Sequence, residues 1–215
     1  MPEFVPLGDR AWLARFPREA DARRWALAAR SARRRGVQDV VLAYKSASVH
    51  LDPDTAEGIE NWLRSLTPAD EADSPGRTVV LPVLYDGADL AEVASATGLA
   101  VEEVVALHAG TTYDVFAIGF QPGFPYAGYL PSPLDRCPRR PEPRVRVPPG
   151  SVAIAAGQTG IYPTELPGGW NLIGRTPLSI VDVTAGRFPI RAGDRLKFEP
   201  IDGIEFAARL GEPLR

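Results

Sequence analysis

The sequence has few of the residues that most often bind metals or form covalent cross-links. Its 215 residues include one cysteine, one methionine and two histidines. A single cysteine excludes an intrachain disulfide and a cysteine-rich zinc site, and no carboxylate spacing near the histidines indicates another metal site. The net charge of -3 argues against general binding to nucleic acid or to an anionic membrane surface.

Long apolar runs and familiar catalytic signatures are also missing. No apolar run approaches the roughly 20 residues of a membrane span. The N-terminal residues carry no secretory signal, so we expect a cytoplasmic protein that does not contact membranes. There is no phosphate loop ending in Gly-Lys-Ser/Thr, no GxGxxG after a strand, no GxSxG and no HExxH. Binding is therefore expected to use other backbone groups and side chains.

Proline and glycine are concentrated in one segment of the second half. Eleven of the 22 prolines and eight glycines lie between Gln121 and Arg175, together with large aromatic residues. A flexible linker of that composition would lack the aromatic side chains. Proline fixes φ and glycine permits positive φ, so the segment predicts ordered, irregular loops, where binding residues commonly lie.

The first half of the chain alternates between strand and helix patterns. The predicted elements are two strands with a Gly8-Asp9 turn at 3–16, a helix at 18–35, a strand or hairpin at 38–51, a helix after Asp52 and a strand at 77–84. This β-α-β-β-α-β order resembles a ferredoxin-like unit. It predicts an N-terminal α+β domain at residues 1–80, with its linker at 67–76, and a second domain at 81–215.

The second domain begins with two short helical patterns, which end at Gly98 and Gly110. Only strand and turn patterns follow. The candidate strands are 113–120, 151–156, 178–183, 188–190, 195–199 and 204–208. Short strands joined by glycine and proline turns predict a compact barrel or a sandwich.

Candidate binding residues lie on two turns of this domain. In GFQPGFPY the prolines and glycines shape the loop, which leaves Gln121, Phe124 and Tyr126 to project, although Phe124 also fits a core position. GQTGIYP places Gln158, Thr159 and Tyr162 around glycine turns that can direct backbone N–H groups at an anion.

Charged residues and one histidine complete the candidate set. Arg144 and Arg175 can bind a carboxylate or phosphate in a bidentate manner, while Arg144 also fits an exposed strand. Glu165 is the one acid in TELPGGW, and Trp170 fits a lid, a plug or a stacking surface. His108 ends an apolar helical stripe, either as a histidine that closes the helix or as an acid–base group at the barrel mouth.

These motifs together resemble one protein family. The matching segments are GFQPGFPY at 119–126, RVRVPPGS at 144–151, AAGQTGIYP at 155–163 and PGGWNLIGRTPL at 167–178. They are similar to the family called allophanate hydrolase subunit 1, kinase-A inhibitor, or the 5-oxoprolinase subunit designated B. Ala156 and Leu166 depart from it where glycine and serine are expected. The resemblance implies an α+β protein in which a cyclophilin-like β-barrel follows the N-terminal domain.

The resemblance also implies a function and partners. The chain would be a subunit of a heteromeric, ATP-dependent 5-oxoprolinase, inactive alone, that opens 5-oxoproline to glutamate with a sister subunit and a third lactam-utilisation protein. ATP would be bound by this chain or elsewhere in the complex.

On this hypothesis the proton-transfer candidates are His108, Tyr126 and Glu165. The substrate-binding candidates are Gln121, Phe124, Arg144, Gln158, Thr159, Tyr162, Trp170 and Arg175. Two alternatives stay open: a regulatory protein that docks on a sensor histidine kinase, and an amide hydrolase subunit related to allophanate hydrolase and urea carboxylase.

Overall fold

The computed structural model describes residues 2–53, 57–68 and 76–215. The chain divides into two compact units, Met1–Gly76 and Arg77–Arg215. Most of the predicted linker lies outside the described residues. Within those ranges, no helix has the length and apolar character that a bilayer crossing requires.

The first unit is a four-stranded antiparallel sheet with two helices. Its elements are β1 (Glu3–Pro6), β2 (Ala11–Arg15), α1 (Glu19–Ser31), β3 (Val37–Ala43), β4 (Ser46–Leu51) and α2 (Ile59–Ser65). The strand order is β1-β2-β4-β3. Helix α1 buries Trp25 and three alanines on one face, as its helical period predicts.

The ferredoxin-like order predicted for this unit is not confirmed. The strand that follows α2 in sequence pairs in the second unit, and β1 occupies the sheet edge beside β2 instead. Helix α2 begins at Ile59, directly after Gly58, and not at Asp52. The Asp52 carboxylate instead accepts a hydrogen bond from the Gln38 amide at 2.6 Å. Local pattern indicated the element types here, but it did not indicate the strand partners.

The second unit contains a seven-stranded sheet and a separate strand pair. Its elements are β5 (Thr78–Val83), α3 (Leu90–Thr97), α4 (Val101–Gly110), β6 (Thr112–Ile118), β7 (Pro125–Gly128), β8 (Arg144–Val147), β9 (Ser151–Ala155), β10 (Gln158–Ile161), β11 (Leu166–Gly168), β12 (Asn171–Arg175), β13 (Arg195–Pro200) and α5 (Gly203–Arg209). The sheet order is β12-β9-β10-β7-β6-β13-β5, and β8 pairs with β11. The predicted domain boundary at 80 and 81 lies inside β5, all of which pairs with β13.

The two ends of the seven-stranded sheet meet. Leu84, just after β5, and Arg175, at the end of β12, exchange two backbone hydrogen bonds of 2.9 Å. The next residues follow β12 further, because the N–H groups of Gly87 and Asp89 donate to backbone carbonyls of that strand. The sheet therefore forms a nearly closed barrel, whose interior is filled by buried side chains such as Tyr113, Phe198 and Ile173.

The turn between β9 and β10 contains one departure from the family pattern. Ala156 and Gly157 are the two residues of this hairpin loop, with φ of 48° and 78°. Two successive positive φ values are typical of a type I′ turn, in which glycine is favoured at both positions. The glycine expected at position 156 therefore fits the backbone, and alanine occupies that position with some strain.

Three predicted strands of the C-terminal part are wrong. Residues 204–208 lie in helix α5, because the Asp202 carboxylate accepts the N–H groups of Ile204 and Glu205 and caps a helix there. Residues 178–183 form only isolated bridges, and residues 188–190 form no strand. A short apolar run does not by itself distinguish these outcomes.

Substitution of Gly87 by alanine tests whether the barrel closure depends on close backbone packing. A Cβ atom at this position would overlap the backbone of Leu172 and Ile173. We expect Gly87→Ala to displace β12 and to lower the free energy of unfolding by about 2 kcal/mol or more. Gly110→Ala is the control, since a Cβ there meets no atom within 4 Å. Equal denaturant midpoints for Gly87→Ala and the wild type would contradict this account.

Candidate functional site

The proline- and glycine-rich segment forms a pocket on the second unit. This cavity, here called the aromatic pocket, has a volume of about 310 Å³. Its lining consists of Phe120, Phe124, Tyr126, Tyr162 and Trp170, the arginines Arg139 and Arg140, and Pro143, Pro167, Gly168 and Gly169. Strand β7, the residue after β10 and the residue before β12 supply Tyr126, Tyr162 and Trp170 respectively. The sheet therefore brings together aromatic residues that are far apart in sequence.

Phe124 lies at the centre of the aromatic cluster. Its ring centroid is 5.0 Å from that of Tyr126, 5.3 Å from that of Tyr162 and 5.6 Å from that of Trp170. All three pairs are edge-to-face, which is a favoured arrangement of aromatic rings. The rings therefore fix each other's orientation and give the pocket a shaped apolar wall. Both expectations for Phe124 apply, since it is buried in the cluster and also lines the pocket.

A buried carboxylate organises the charged side of the pocket. The Asp89 side chain is 3% exposed, and its Oδ1 accepts hydrogen bonds of 2.6 Å from Arg140 Nη1 and from Arg144 Nη2. Its Oδ2 accepts the backbone N–H of Leu172 in β12 at 2.7 Å. Arg144, a predicted substrate ligand, is therefore already paired within the protein. The hydrogen bond to Asp89 raises the pKa of Arg144, which keeps the guanidinium charged.

No sequence signal pointed directly to this role of Asp89. An aspartate before an apolar helical stripe usually indicates an N-cap. Asp89 occupies that position before α3, yet its side chain makes no capping hydrogen bond to the helix. Arg139, Arg140 and Phe120 were also missed, and only their place in the proline-rich segment or directly before it could have suggested them.

His108 lies in the core of the second unit. The imidazole is fully buried, with Nδ1 2.8 Å from the Tyr85 hydroxyl and Nε2 2.9 Å from Thr159 Oγ1. The Thr159 hydroxyl donates its proton to the backbone carbonyl of Ala153, so Nε2 is the protonated nitrogen of the ring and Nδ1 accepts from Tyr85. Burial lowers the pKa of His108 to about 3, and the ring is therefore neutral at physiological pH.

The other predicted site residues lie apart from these two clusters. Arg175 pairs with Asp86 at 2.7 Å, stacks 4.4 Å over the Phe206 ring and lines a separate groove of about 410 Å³. Glu165 is exposed and lies 3.6 Å from Arg146.

The two glutamines predicted to bind substrate, Gln121 and Gln158, also lie outside the pocket lining. Gln121 is exposed on the turn before Phe124, and Gln158 is half-buried in β10, opposite Gly128 and Ala155. The structure thus joins Phe124, Tyr126, Tyr162 and Trp170 in one pocket, and it places His108 and Thr159 together in the core.

Comparison with known proteins identifies relatives over most of the chain. The profile of the family described as carboxyltransferase domain, subdomain C and D, matches residues 2–189. The 5-oxoprolinase subunit designated B from Escherichia coli O157:H7 is 44% identical over 151 residues, which cover 68% of this chain and 67% of the relative. The protein of the same designation from Haemophilus influenzae is 36% identical over 212 residues, which cover 94% of this chain and 99% of the relative.

Solved structures give the same fold. The crystal structure of TTHA0988 is 40% identical with a TM-score of 0.81 over 90% of this chain, and the match spans 41% of the length of TTHA0988. PH0987 from Pyrococcus horikoshii is 35% identical with a TM-score of 0.57, over 95% of this chain and all of that protein. The urea amidolyase of K. lactis has a TM-score of 0.67 over 96% of this chain and 15% of its own, and at 16% identity it shares the fold alone.

The buried neutral His108 predicts a loss of stability in acid. The unfolded chain binds a proton at this histidine below about pH 6.5, whereas the folded chain does so only near a pKa of about 3. The unfolded state thus binds more protons between these values, so stability falls as the pH drops, by up to about 1.4 kcal/mol per pH unit. Urea unfolding between about pH 6.5 and pH 4.5 measures this slope.

The slope is expected to shrink in His108→Gln and to persist in His50→Gln, since His50 lies in the other unit and is only half-buried. An unchanged slope in His108→Gln would show that other groups cause the acid loss.

Removal of the Asp89 carboxylate is expected to destabilise the protein. Asp89→Ala removes the buried partner of two largely buried guanidinium groups, and Arg140 keeps only its contact with the exposed Glu92, so we expect a loss of about 3 kcal/mol. Asp86→Ala is the matched control, because its pair with Arg175 is 39% and 50% exposed and is worth about 1 kcal/mol or less. Thermal or denaturant unfolding of both variants measures the difference, and equal losses would mean that Asp89 does not organise the site.

Proposed function

This chain belongs to the family of the carboxyltransferase domain, subdomain C and D, and we propose that it is a subunit of a 5-oxoprolinase. The support is its identity of 44% and 36% to relatives that are named as 5-oxoprolinase subunits, one of them matched over nearly its full length. The proposed reaction is the ATP-dependent opening of 5-oxoproline to glutamate. A sister subunit and a third lactam-utilisation protein are the proposed partners.

The aromatic pocket is the structural feature that supports the choice of substrate. Its volume of about 310 Å³ is near the lower end of small-molecule pockets, which range over roughly 300–1,000 Å³. A small ring fits such a cavity better than an extended ligand does. The aromatic wall offers an apolar surface to the five-membered lactam, and guanidinium groups beside it suit the carboxylate that 5-oxoproline carries.

Tyr126 is the candidate for proton transfer. It lines the pocket, whereas His108 is enclosed with both ring nitrogens bonded to protein groups, and Glu165 is exposed near Arg146. In ring opening, water adds to the lactam carbon and the C–N bond breaks, so that the lactam nitrogen leaves as an amine and takes up a proton. We assign the donation of that proton to the Tyr126 hydroxyl, a general-acid role that tyrosine can fill.

In the proposed reaction ATP transfers a phosphoryl group to the lactam oxygen, which leaves ADP and makes the lactam carbon electrophilic, and this group is lost as phosphate once water has opened the ring. The sequence has no glycine-rich phosphate loop ending in Gly-Lys-Ser/Thr, and the aromatic pocket is small for a nucleotide beside a lactam. We therefore assign lactam binding to this chain and nucleotide binding to the assembled complex. Allophanate hydrolysis stays a prediction, because the likeness to urea amidolyase extends to fold alone. Kinase regulation also stays a prediction.

Glutamate release by the co-expressed complex tests the function. We expect turnover of 5-oxoproline only when ATP, this chain and its partners are all present, and none with this chain alone. Tyr126→Phe keeps the ring packing and is expected to lower kcat by about 100-fold with little change in KM. Tyr129→Phe is the control, since this exposed ring packs on Phe116 and does not line the pocket.

The proposed function and the proton-transfer role of Tyr126 can fail independently. Turnover that persists without this chain would overturn the proposed function. An unchanged kcat in Tyr126→Phe would remove only the proton-transfer role.

A further inference from the structure

We propose that Arg139 and Arg140 form the carboxylate-binding end of the aromatic pocket and that Asp89 positions Arg140 for this task. The ligand class is a small ring that bears a carboxylate. The choice of 5-oxoproline as its representative rests on the proposed function. The two arginines are here called the arginine end of the pocket.

The pocket carries more positive than negative charge. Its lining contains two arginines and no acidic residue. Arg140 shares the buried carboxylate of Asp89 with Arg144, which does not line the pocket. Glu92 also reaches Arg140, at 3.1 Å, but its side chain is 70% exposed, so water screens its charge. The excess positive charge favours an anionic ligand, because partly buried cations are stabilised by a charge of opposite sign.

Two buried nitrogen atoms of this cluster lack partners. Arg140 Nε and Arg144 Nη1 are enclosed, and neither has a hydrogen-bond partner within residues 2–53, 57–68 and 76–215. Buried charged donors are normally satisfied, and exceptions call for an explanation. Arg140 lines the pocket, so an anion bound beside it would offset the unmatched charge of the cluster.

Arg139 supplies a second guanidinium at the pocket. It is exposed, lines the cavity and forms no ion pair with any part of the chain that the structure describes. Burial raises the pKa of the Tyr162 phenol, and the charges of Arg144 and Arg139 oppose that rise. The field of these arginines therefore reaches the aromatic wall where a ring would lie.

Asp89 holds Arg140 in one place. The ion pair of 2.6 Å fixes Nη1, and the backbone N–H of Arg140 donates to the Gly169 carbonyl at 2.7 Å, next to Trp170. Asp89 itself is fixed by the N–H of Leu172 in β12. A guanidinium that is already ordered loses little conformational entropy when a ligand binds, so Asp89 acts as a positioning residue.

Calorimetric titration of the full chain tests the arginine end directly. The probes are 5-oxoproline and pyrrole-2-carboxylate, which carry a ring and a carboxylate, 2-pyrrolidone, which has the ring without the charge, and inorganic phosphate, which has the charge without the ring. We expect both ring acids to bind about tenfold or more tightly than 2-pyrrolidone, as a charge-assisted hydrogen bond allows. Phosphate is expected to bind more weakly than the ring acids.

The variants separate charge from folding. Arg139→Gln and Arg140→Gln are each expected to reduce the preference for ring acids by about tenfold. Arg139→Gln breaks no ion pair of the described chain and so keeps the test valid if Arg140→Gln unfolds. Arg136→Gln is the matched control, because Arg136 is an exposed arginine of the same segment that does not line the pocket.

Kinetics of the assembled complex test the positioning role. Asp89→Asn is expected to raise KM for 5-oxoproline and to leave kcat near the wild-type value, whereas general loss of structure would lower the amount of active enzyme and so the apparent kcat. Asp89→Glu, which retains the charge, is expected to recover part of the lost affinity. A lowered kcat with unchanged KM would overturn the assignment.

The outcomes distinguish this inference from the proposed function. The inference is overturned if no ring acid binds, if 2-pyrrolidone or phosphate binds as tightly, or if the arginine variants behave like Arg136→Gln. Should the ring acids bind as expected while the complex fails to release glutamate, the proposed function fails and the arginine end stands.

Discussion

The buried carboxylate of Asp89 connects three parts of the second unit that are distant in sequence. One oxygen binds two arginines of the proline-rich segment, and the other binds the backbone of β12. The Asp89 backbone N–H donates to the same strand, beside the bridge between Leu84 and Arg175 that closes the sheet. A buried charge needs partners in place, so Asp89 links the position of Arg140, which lines the pocket, to the strand at which the barrel closes.

Two buried polar clusters have different consequences for the molecule. His108, Tyr85 and Thr159 form a neutral hydrogen-bonded group, in which desolvation keeps the imidazole uncharged. The cluster around Asp89 keeps its charges and extends to the wall of the pocket. The first therefore serves the packing of the core, while the second gives the pocket its electrostatic character. This difference explains why the histidine, the usual candidate for proton transfer, is poorly placed for it here.

The aromatic pocket depends on rings that fix one another. Phe124 touches Tyr126, Tyr162 and Trp170 edge to face, and these residues come from separate strands and loops of one sheet. Short strands hold Tyr126 and flank Tyr162 and Trp170, while proline and glycine set the backbone of the connecting turns. The same arrangement leaves room for a small ligand beside the arginines. Shape and charge of the site thus come from a segment that lacks long strands.

The sequence alone determined the element types where a local pattern was complete. The apolar stripe of α1, the first strand pair and the family motifs of the second half all depend on neighbours within a few residues. Local capping also decides α5, yet Asp202 was overlooked there in favour of a strand pattern. The pocket aromatics Phe124, Tyr126, Tyr162 and Trp170 were predicted because their motifs were recognisable.

Only the tertiary structure decided which partners these elements and side chains have. The pairing of β5 with β13 brings together residues more than 100 positions apart, and the ion pairs of Asp89 span 51 and 55 positions. No local sequence pattern indicates such contacts, because they form only when distant segments of the chain pack together and bury charge and apolar surface. For that reason Arg144 and Arg175, alike in sequence as anion ligands, have different partners and lie at different sites.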